Sequence, residues 1–385
     1  MARTDVVDVL IVGAGIAGAS LAWRLVQPGA MQRSVLLIET ESQPGAHATG
    51  RSAAMFMESY GPPQARALTR AGRAFYEAPP AGFAESPLLA PRGALYVAQP
   101  GQAELLTRTE GELRATGTSI EVLSANDALH LVPVLRRDRL LGALHEPDAR
   151  DIDVHALHQG FLRGARRGGA VLRMNSELLA ARHDGGHWQA TLADGETLCA
   201  GVIVNAAGAW ADVVAQRCGV GALGIQPYRR SAFTFDAPAG VACAGWPVVA
   251  GIDEQQGWYF KPDAGRLLGS PANADASFAH DVQPEEIDIA TGIARIEAAT
   301  TLTIRRPAST WAGLRSFAPD GELVIGADTR EPQFFWLAGQ GGYGIQSAAG
   351  ASLLAASLLN RQRLPEELAA QRVGASSLAP GRRAP

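Results

Sequence analysis

Gly13, Gly15 and Gly18 stand in G-x-G-x-x-G spacing within Gly13-Ala14-Gly15-Ile16-Ala17-Gly18. Residues without side chains at this spacing can cradle a pyrophosphate. The first permits a tight turn, the second lets the backbone approach the phosphates, and the third lets a following helix pack closely on the strand. Unpaired N–H groups at that helix start then face the anion. Glu39 follows Gly18 by 21 residues, near the ~20 expected of an acid that accepts ribose hydroxyls. Such chemistry needs a strand before the turn, a helix after it, and a second strand ending at the acid. Val6-Val7-Asp8-Val9-Leu10-Ile11-Val12 reads as a buried parallel strand. Residues 19–26 carry Leu21, Ala22, Leu25 and Val26 at helical spacing, and residues 34–38 read as the second strand. An adenine dinucleotide site is expected.

Three further stretches suit the same ligand. Gln43-Pro44-Gly45-Ala46-His47-Ala48-Thr49-Gly50-Arg51-Ser52-Ala53-Ala54 is a loop of small residues after the second strand. The hydroxyls of Thr49 and Ser52, the charge of Arg51 and the loop's backbone amides suit a second approach to a pyrophosphate and a flavin edge. A nicotinamide-binding unit would continue here with alternating strands and helices. Ala200-Gly201-Val202-Ile203-Val204-Asn205-Ala206-Ala207-Gly208-Ala209-Trp210 repeats the strand-then-small-residue pattern. Phe334-Phe335-Trp336-Leu337-Ala338 reads as a strand, after which Gly339-Gln340-Gly341-Gly342-Tyr343-Gly344-Ile345-Gln346 opens a helix running through Leu359. A helix N-terminus favours the negative charge that reduced flavin carries around N1 and O2. FAD is the expected cofactor.

The elements that position these turns must come from a chain of 385 residues, long enough for about two domains. The expected fold class is α/β, a Rossmann-like FAD-binding domain with an inserted α+β substrate domain. Residues 1–84, 146–224 and 316–385 are assigned to the first, and residues 85–145 and 225–315 to the second. With 47% hydrophobic residues and a formal charge of −4, the composition argues against disorder and against a nucleic-acid partner held through phosphates. Three cysteines without a C-x-x-C pair and eight scattered histidines suggest neither a disulfide framework nor a metal site. No apolar run approaches the ~18–20 residues of a transmembrane span. Met1-Ala2-Arg3-Thr4-Asp5 does not read as a signal peptide, so a reducing cytoplasm is the default localisation. The last ~20 residues, rich in Pro, Arg and Ala, are expected to form a loosely ordered tail.

Beyond the turns, a series of segments resembles the glycine/D-amino-acid oxidase-like flavoproteins, and among them the D-arginine dehydrogenase branch. These are Gly50-Arg51-Ser52-Ala53-Ala54, Val132-Pro133-Val134-Leu135-Arg136-Arg137, Arg229-Arg230-Ser231-Ala232-Phe233, Lys261-Pro262-Asp263-Ala264-Gly265, Leu268-Gly269-Ser270-Pro271-Ala272-Asn273-Ala274-Asp275, Thr303-Ile304-Arg305-Arg306-Pro307, Trp311-Ala312-Gly313-Leu314-Arg315-Ser316-Phe317 and Gln340-Gly341-Gly342-Tyr343-Gly344-Ile345-Gln346. The resemblance runs nearly end to end. It implies FAD-dependent oxidative deamination of a D-amino acid, in which hydride leaves Cα for flavin N5 and water hydrolyses the imine.

By this resemblance Arg230 and Arg315 match carboxylate-binding positions, a task suited to the planar guanidinium fork. Arg229 replaces Arg230 if the strand register differs. Tyr60 and Tyr259 match substrate-facing tyrosines, completing the candidate catalytic set. The implied cofactor contacts add Ile16, Ala17, Thr40, His47, Val171, Ala206, Ala207, Gly208, Trp210 and Arg315. They also take in Gly341, Gly342, Tyr343, Gly344, Ile345 and Gln346. His47 is assigned to capping the loop, and no cysteine falls in these segments, so FAD is expected to bind noncovalently.

The side-chain pocket is where the chain departs from D-arginine dehydrogenase. Ala94 stands where that branch has an acid for the guanidinium. Met55 and Met57 replace polar residues, Val248 and Ala250 keep the opposite wall apolar, and Gly342 completes the pocket. The expectation is a small-molecule amino-acid substrate with a neutral or hydrophobic side chain, unless Glu85 supplies an acid from a rearranged loop. Oxidation of secondary amines such as sarcosine, or of 2-hydroxy acids, remains open, as does a flavin-binding module without turnover. The electron acceptor (quinone, dye-like carrier or O2) and any base for the amine are not readable from the residues.

Overall fold

The protein is described by a computed structural model covering residues 6–29, 31, 33–253, 255 and 257–382. The expectation about Met1-Ala2-Arg3-Thr4-Asp5 lies outside the described residues. Strand β1 (Val6–Val12) leads into helix α1 (Ile16–Leu25) and strand β2 (Val35–Ile38). The helix begins three residues before its apolar periodicity does, at the glycine turn itself. Gly15 is its extended N-cap residue, and Thr49 Oγ1 accepts the first helical N–H, from Ile16, at 3.0 Å. A side chain distant in sequence therefore does what a local capping residue usually does.

β1 lies between β2 and Thr197–Asn205, parallel to both, in an eight-stranded sheet. Phe334–Ala338 extends the parallel set beyond Thr197–Asn205, and Val171–Arg173 extends it beyond β2. Leu178–His183, Trp188–Leu192 and Val324–Ala327 add antiparallel strands. Both faces are covered from Val9 onward, so residues 9–12 of β1 are continuously apolar, whereas the exposed Asp8 accepts a hydrogen bond from the Ser34 N–H. Val9 and Ile11 join the core shared with α1 and with helices Val154–Arg167 and Gly344–Leu359, whereas Leu10 and Val12 join Trp188, Phe334 and Trp336. Burial of each large aliphatic side chain stabilises the fold by about 1.5–3 kcal/mol.

A nine-stranded sheet forms the other half. Its main path runs Asp275–Ala276, Gln226–Phe235, Arg266–Ser270, Tyr259–Asp263, Val248–Gly251, Ala94–Ala98, Gly142–Glu146 and Glu121–Ser124, and Ser309–Phe317 pairs with Gln226–Phe235. Helix Glu286–Ala299 contributes Ile289 and Ile296 to a core with Phe233, Phe235 and Phe260. The register places Ala94, Tyr96, Val248, Ala250, Tyr259, Lys261, Arg230 and Arg315 together on the sheet's opposite face. A three-stranded sheet of Met55–Phe56, Arg150–Ile152 and Leu89–Pro91 joins the loop after β2 to this half.

The C-terminal segment corrects the expectation of a loose tail. Glu366–Ala370 and Ala375–Leu378 are helical, with Leu368 and Leu378 fully buried. Arg382 makes a two-pronged ion pair with Asp320, at 2.6 and 2.7 Å. Tertiary burial and a partner some sixty residues away order a segment whose local composition suggested none; residues 383–385 lie outside the described residues. Among the described residues no helix is long and apolar enough to cross a membrane.

Candidate active site

The two halves enclose one continuous cleft of about 730 Å³. At its β1 end, Gly13 has φ +104°, and a Cβ there would stand 2.6 Å from the Ala206 carbonyl oxygen. Only glycine fits both the dihedral and the space. Glu39 Oε2 accepts the Ala14 N–H at 2.8 Å and Oε1 accepts the Glu41 N–H at 3.1 Å, so the acid also pins the turn. His158 donates Nε2–H to the Ala14 carbonyl at 2.9 Å, and burial lowers its pKa, keeping the ring neutral beneath the turn. The loop from residue 43 to residue 54 closes over this end. His47 Nε2 lies 2.8 Å from Glu41 Oε1 with its ring against Trp210, and Arg51 Nη1 donates to the Val282 and Ala312 carbonyls while Nη2 pairs with Asp281.

At the other end the helix Gly344–Leu359 points its N-terminus into the cleft. Gln346 is 2% exposed; its Oε1 accepts from Met57 N at 3.3 Å and its Nε2 donates to the Tyr60 carbonyl at 3.1 Å. Tyr60 thereby comes to lie over Gly342, where an added Cβ would be 3.0 Å from the phenol oxygen and 3.3 Å from Arg315 Nη1. Arg315 Nη1 donates to the Tyr60 hydroxyl at 3.3 Å, and Arg230 Nε donates to the Asn273 carbonyl.

Among the described residues neither guanidinium has an acidic partner within ion-pair distance. Burial, and then the charge of Arg315, push the Arg230 guanidinium down to about 10. Burial also opposes the charge on Arg315, but the phenols of Tyr60, Tyr259 and Tyr343 outweigh it and its pKa is raised. Two cations share one cavity and repel each other, an arrangement that an anionic ligand between them relieves. Arg229, on the opposite face of the same strand, is occupied by Asp288 at 3.0 Å, Glu285 and Asp275, so the register selects Arg230 for the cleft. Next to the arginines, Met57, Ala94, Ala149 and Val248 form an apolar cluster with Met55, Tyr96 and Tyr259 against it.

Most of the residues expected from sequence line this cleft. Gly18, Gly50, Val171 and Tyr343 do not. Gly18 packs beneath the turn against Gly13, Gly50 closes its own loop by donating to the Gly45 carbonyl, and Tyr343 stands behind Tyr60 with ring centroids 5.1 Å apart. Val171 is 56% exposed, and Ser176, Glu177 and Leu178 line the cleft instead. Glu85 is exposed and outside it. Residues to which the sequence assigned no site role include Tyr96 and His158, together with Asn273 and Lys261, which stood only within the resembling segments. Lys261, the only lysine in the chain, donates Nζ to Asp151 at 2.7 Å, and Arg92 holds the other oxygen of that carboxylate at 2.6 Å. A glycine cradle with no room for a Cβ, an acid beside it and a second helix N-terminus further along one cleft fit an elongated dinucleotide whose far end accepts charge.

Comparison with known proteins agrees with that fit. The sequence pattern of the DAO family, described as FAD dependent oxidoreductase, matches residues 8–358. The chain is 26% identical to a glycine oxidase of Geobacillus kaustophilus over 263 residues, 66% of this chain and 66% of that protein. It is 28% identical to a D-amino acid dehydrogenase of Cereibacter sphaeroides over 293 residues, 74% of this chain and 64% of that protein. The match thus spans just under two thirds of the length of these curated relatives. Among solved structures, glycine oxidase from Geobacillus kaustophilus superposes with a TM-score of 0.82 at 23% identity, covering 98% of this chain and 99% of that one. Iminodiacetate oxidase from Chelativorans sp. BNC1 superposes with a TM-score of 0.80 at 25% identity, covering 97% and 98%.

Proposed function

The chain belongs to the DAO family of FAD dependent oxidoreductases, and on that premise we propose that it oxidatively deaminates D-amino acids with neutral or hydrophobic side chains. The observation that carries this reading is the pair Arg230 and Arg315, two cleft guanidiniums beside the Tyr60 hydroxyl that have no acidic partner among the described residues. A carboxylate is the anion whose two oxygens match such a fork. Bound FAD supplies the acceptor for a hydride leaving Cα. Glycine-turn residues and Glu39 would hold its adenine half, while Gly341, Gly342, Gly344, Ile345 and Gln346 would adjoin its flavin end.

The protein's part is to hold the substrate. Arg315 and Arg230 grip the carboxylate, Tyr60 donates its hydroxyl to it, and Tyr259 closes the opposite wall. The rings of the two tyrosines keep water from the reacting carbon. Met57, Ala94 and Val248 receive the side chain, and among the described residues no acid lines this wall to compensate a guanidinium or ammonium. FAD attachment is noncovalent in this reading: the three cysteines are absent from the cleft wall, and His47 is engaged by Glu41.

Anaerobic mixing with D- and L-amino acids, sarcosine and 2-hydroxy acids tests the proposal through loss of flavin absorbance. Neutral D-amino acids are expected to reduce the flavin fastest and to yield 2-oxo acids. Fastest reduction by D-arginine would overturn the side-chain preference. Fastest reduction by sarcosine or a hydroxy acid would overturn the substrate class.

A further inference from the structure

Glu146 is 1% exposed and pairs directly with Ala94 across the nine-stranded sheet. Paired residues of antiparallel strands share a face, with Cβ atoms about 5 Å apart, so the carboxyl lies on the cleft face one strand beyond the wall. Its Oε2 accepts a hydrogen bond from Ser59 Oγ at 2.7 Å and a long one from the Tyr96 hydroxyl at 3.5 Å. No cation pairs with it among the described residues, and the charges of Asp148 and Glu58 add to the unfavourable setting of its carboxylate. Burial pushes the carboxyl up to about 7 despite the two hydroxyls, so this acid is costly to keep inside.

What the carboxyl holds is the residue preceding Tyr60. The segment from residue 57 to residue 60 is already tied by Gln346 through the Met57 amide and the Tyr60 carbonyl. Ser59, 8% exposed, adds a third tie, directed at the other half of the molecule. Tyr60 is itself 39% exposed and its ring packs edge-on against Tyr343, so its own contacts leave it freedom that the ties on its backbone remove. We propose that Glu146 is a positioning residue that, through Ser59, fixes Tyr60 beside Arg315 for grip on the substrate carboxylate. The inference rests on the carboxylate-anchor reading of Tyr60 and Arg315.

Benzoate, an unreactive carboxylate, titrated against the FAD-loaded protein by its perturbation of flavin absorbance, reads the grip without turnover. Ser59→Ala and Glu146→Leu are each expected to raise the benzoate Kd about tenfold, the loss of one hydrogen bond to a charged group, with flavin content retained. Glu146→Gln, whose amide oxygen still accepts from both hydroxyls, recovers most of the affinity. The penalty of Ser59→Ala disappears in a Tyr60→Phe background, because the route runs through that phenol. A merely structural role would lower Tm and leave the two substitutions additive in Kd. Wild-type Kd in Ser59→Ala, or full additivity with Tyr60→Phe, would overturn the inference while the anchor stands. A wild-type protein that binds no benzoate and is reduced by no amino acid would remove the anchor itself, and this inference with it. Should Glu146→Leu fail to fold, Ser59→Ala decides alone.

Discussion

At the β1 end of the cleft the wall is mostly backbone, a turn around Gly13 pinned by Glu39, Thr49 and His158. At the other end it is mostly side chains, with Arg230, Arg315 and Tyr259 on separate strands of one sheet and Tyr60 on a loop tied to a helix. Backbone needs only absent side chains at the right spacing, and such a site is written in one short stretch. A side-chain site depends on which residues face inward from strands far apart in sequence, so it exists only once the register is set. The first end can serve any chemistry that uses the same dinucleotide, whereas the second confines it to one class of small molecule.

Substitutions that separate the two ends test this contrast. Arg315→Leu should lower kcat/KM for the best D-amino acid about 10³-fold, on the order of 4 kcal/mol, by removing one arm of the carboxylate grip. The flavin spectrum should be retained, and loss of the flavin together with activity would break the separation. Gly13→Ala should do the reverse. Its Cβ meets the Ala206 carbonyl at 2.6 Å in a left-handed backbone, a strain of about 3–4 kcal/mol. The expected readout is protein purified without flavin and with a lowered Tm. Retention of full flavin content would show that the turn tolerates a side chain.

The smallest effect concerns the acid behind the side-chain end. Glu146 titrates near 7 in the folded protein against an ordinary 4.5. Between those values the unfolded chain releases a proton that the folded chain keeps, so stability falls as pH rises from about 4.5 to about 7 and is then level. This contribution amounts to about 3 kcal/mol over the window. Tm measured against pH should fall less steeply in Glu146→Gln than in the wild type, and parallel profiles would show that the carboxyl does not titrate there.

The same contrast explains what could be read from sequence. The glycine turn, Glu39 and the second glycine-rich helix start were visible because each is contiguous and its chemistry follows from spacing. Arg229 and Arg230 were not separable, since a strand of period two offers either residue until its partners are known; Asp288 and Glu285 settle the phase. Glu146 carried no signal, as a lone glutamate in a short strand becomes notable only opposite Ala94 and beneath Ser59. The C-terminal helices were missed because their order comes from burial of Leu368 and Leu378 and from the Arg382–Asp320 pair, none of which is local.

The position of β1 also sets a timetable for biosynthesis. Its neighbour Thr197–Asn205 pairs in turn with Phe334–Ala338. At roughly 5–20 residues per second, a ribosome needs on the order of half a minute after making β1 to deliver that last parallel strand. The glycine turn is therefore made well before the sheet that supports it, and that support is complete only once Phe334–Ala338 has been synthesised.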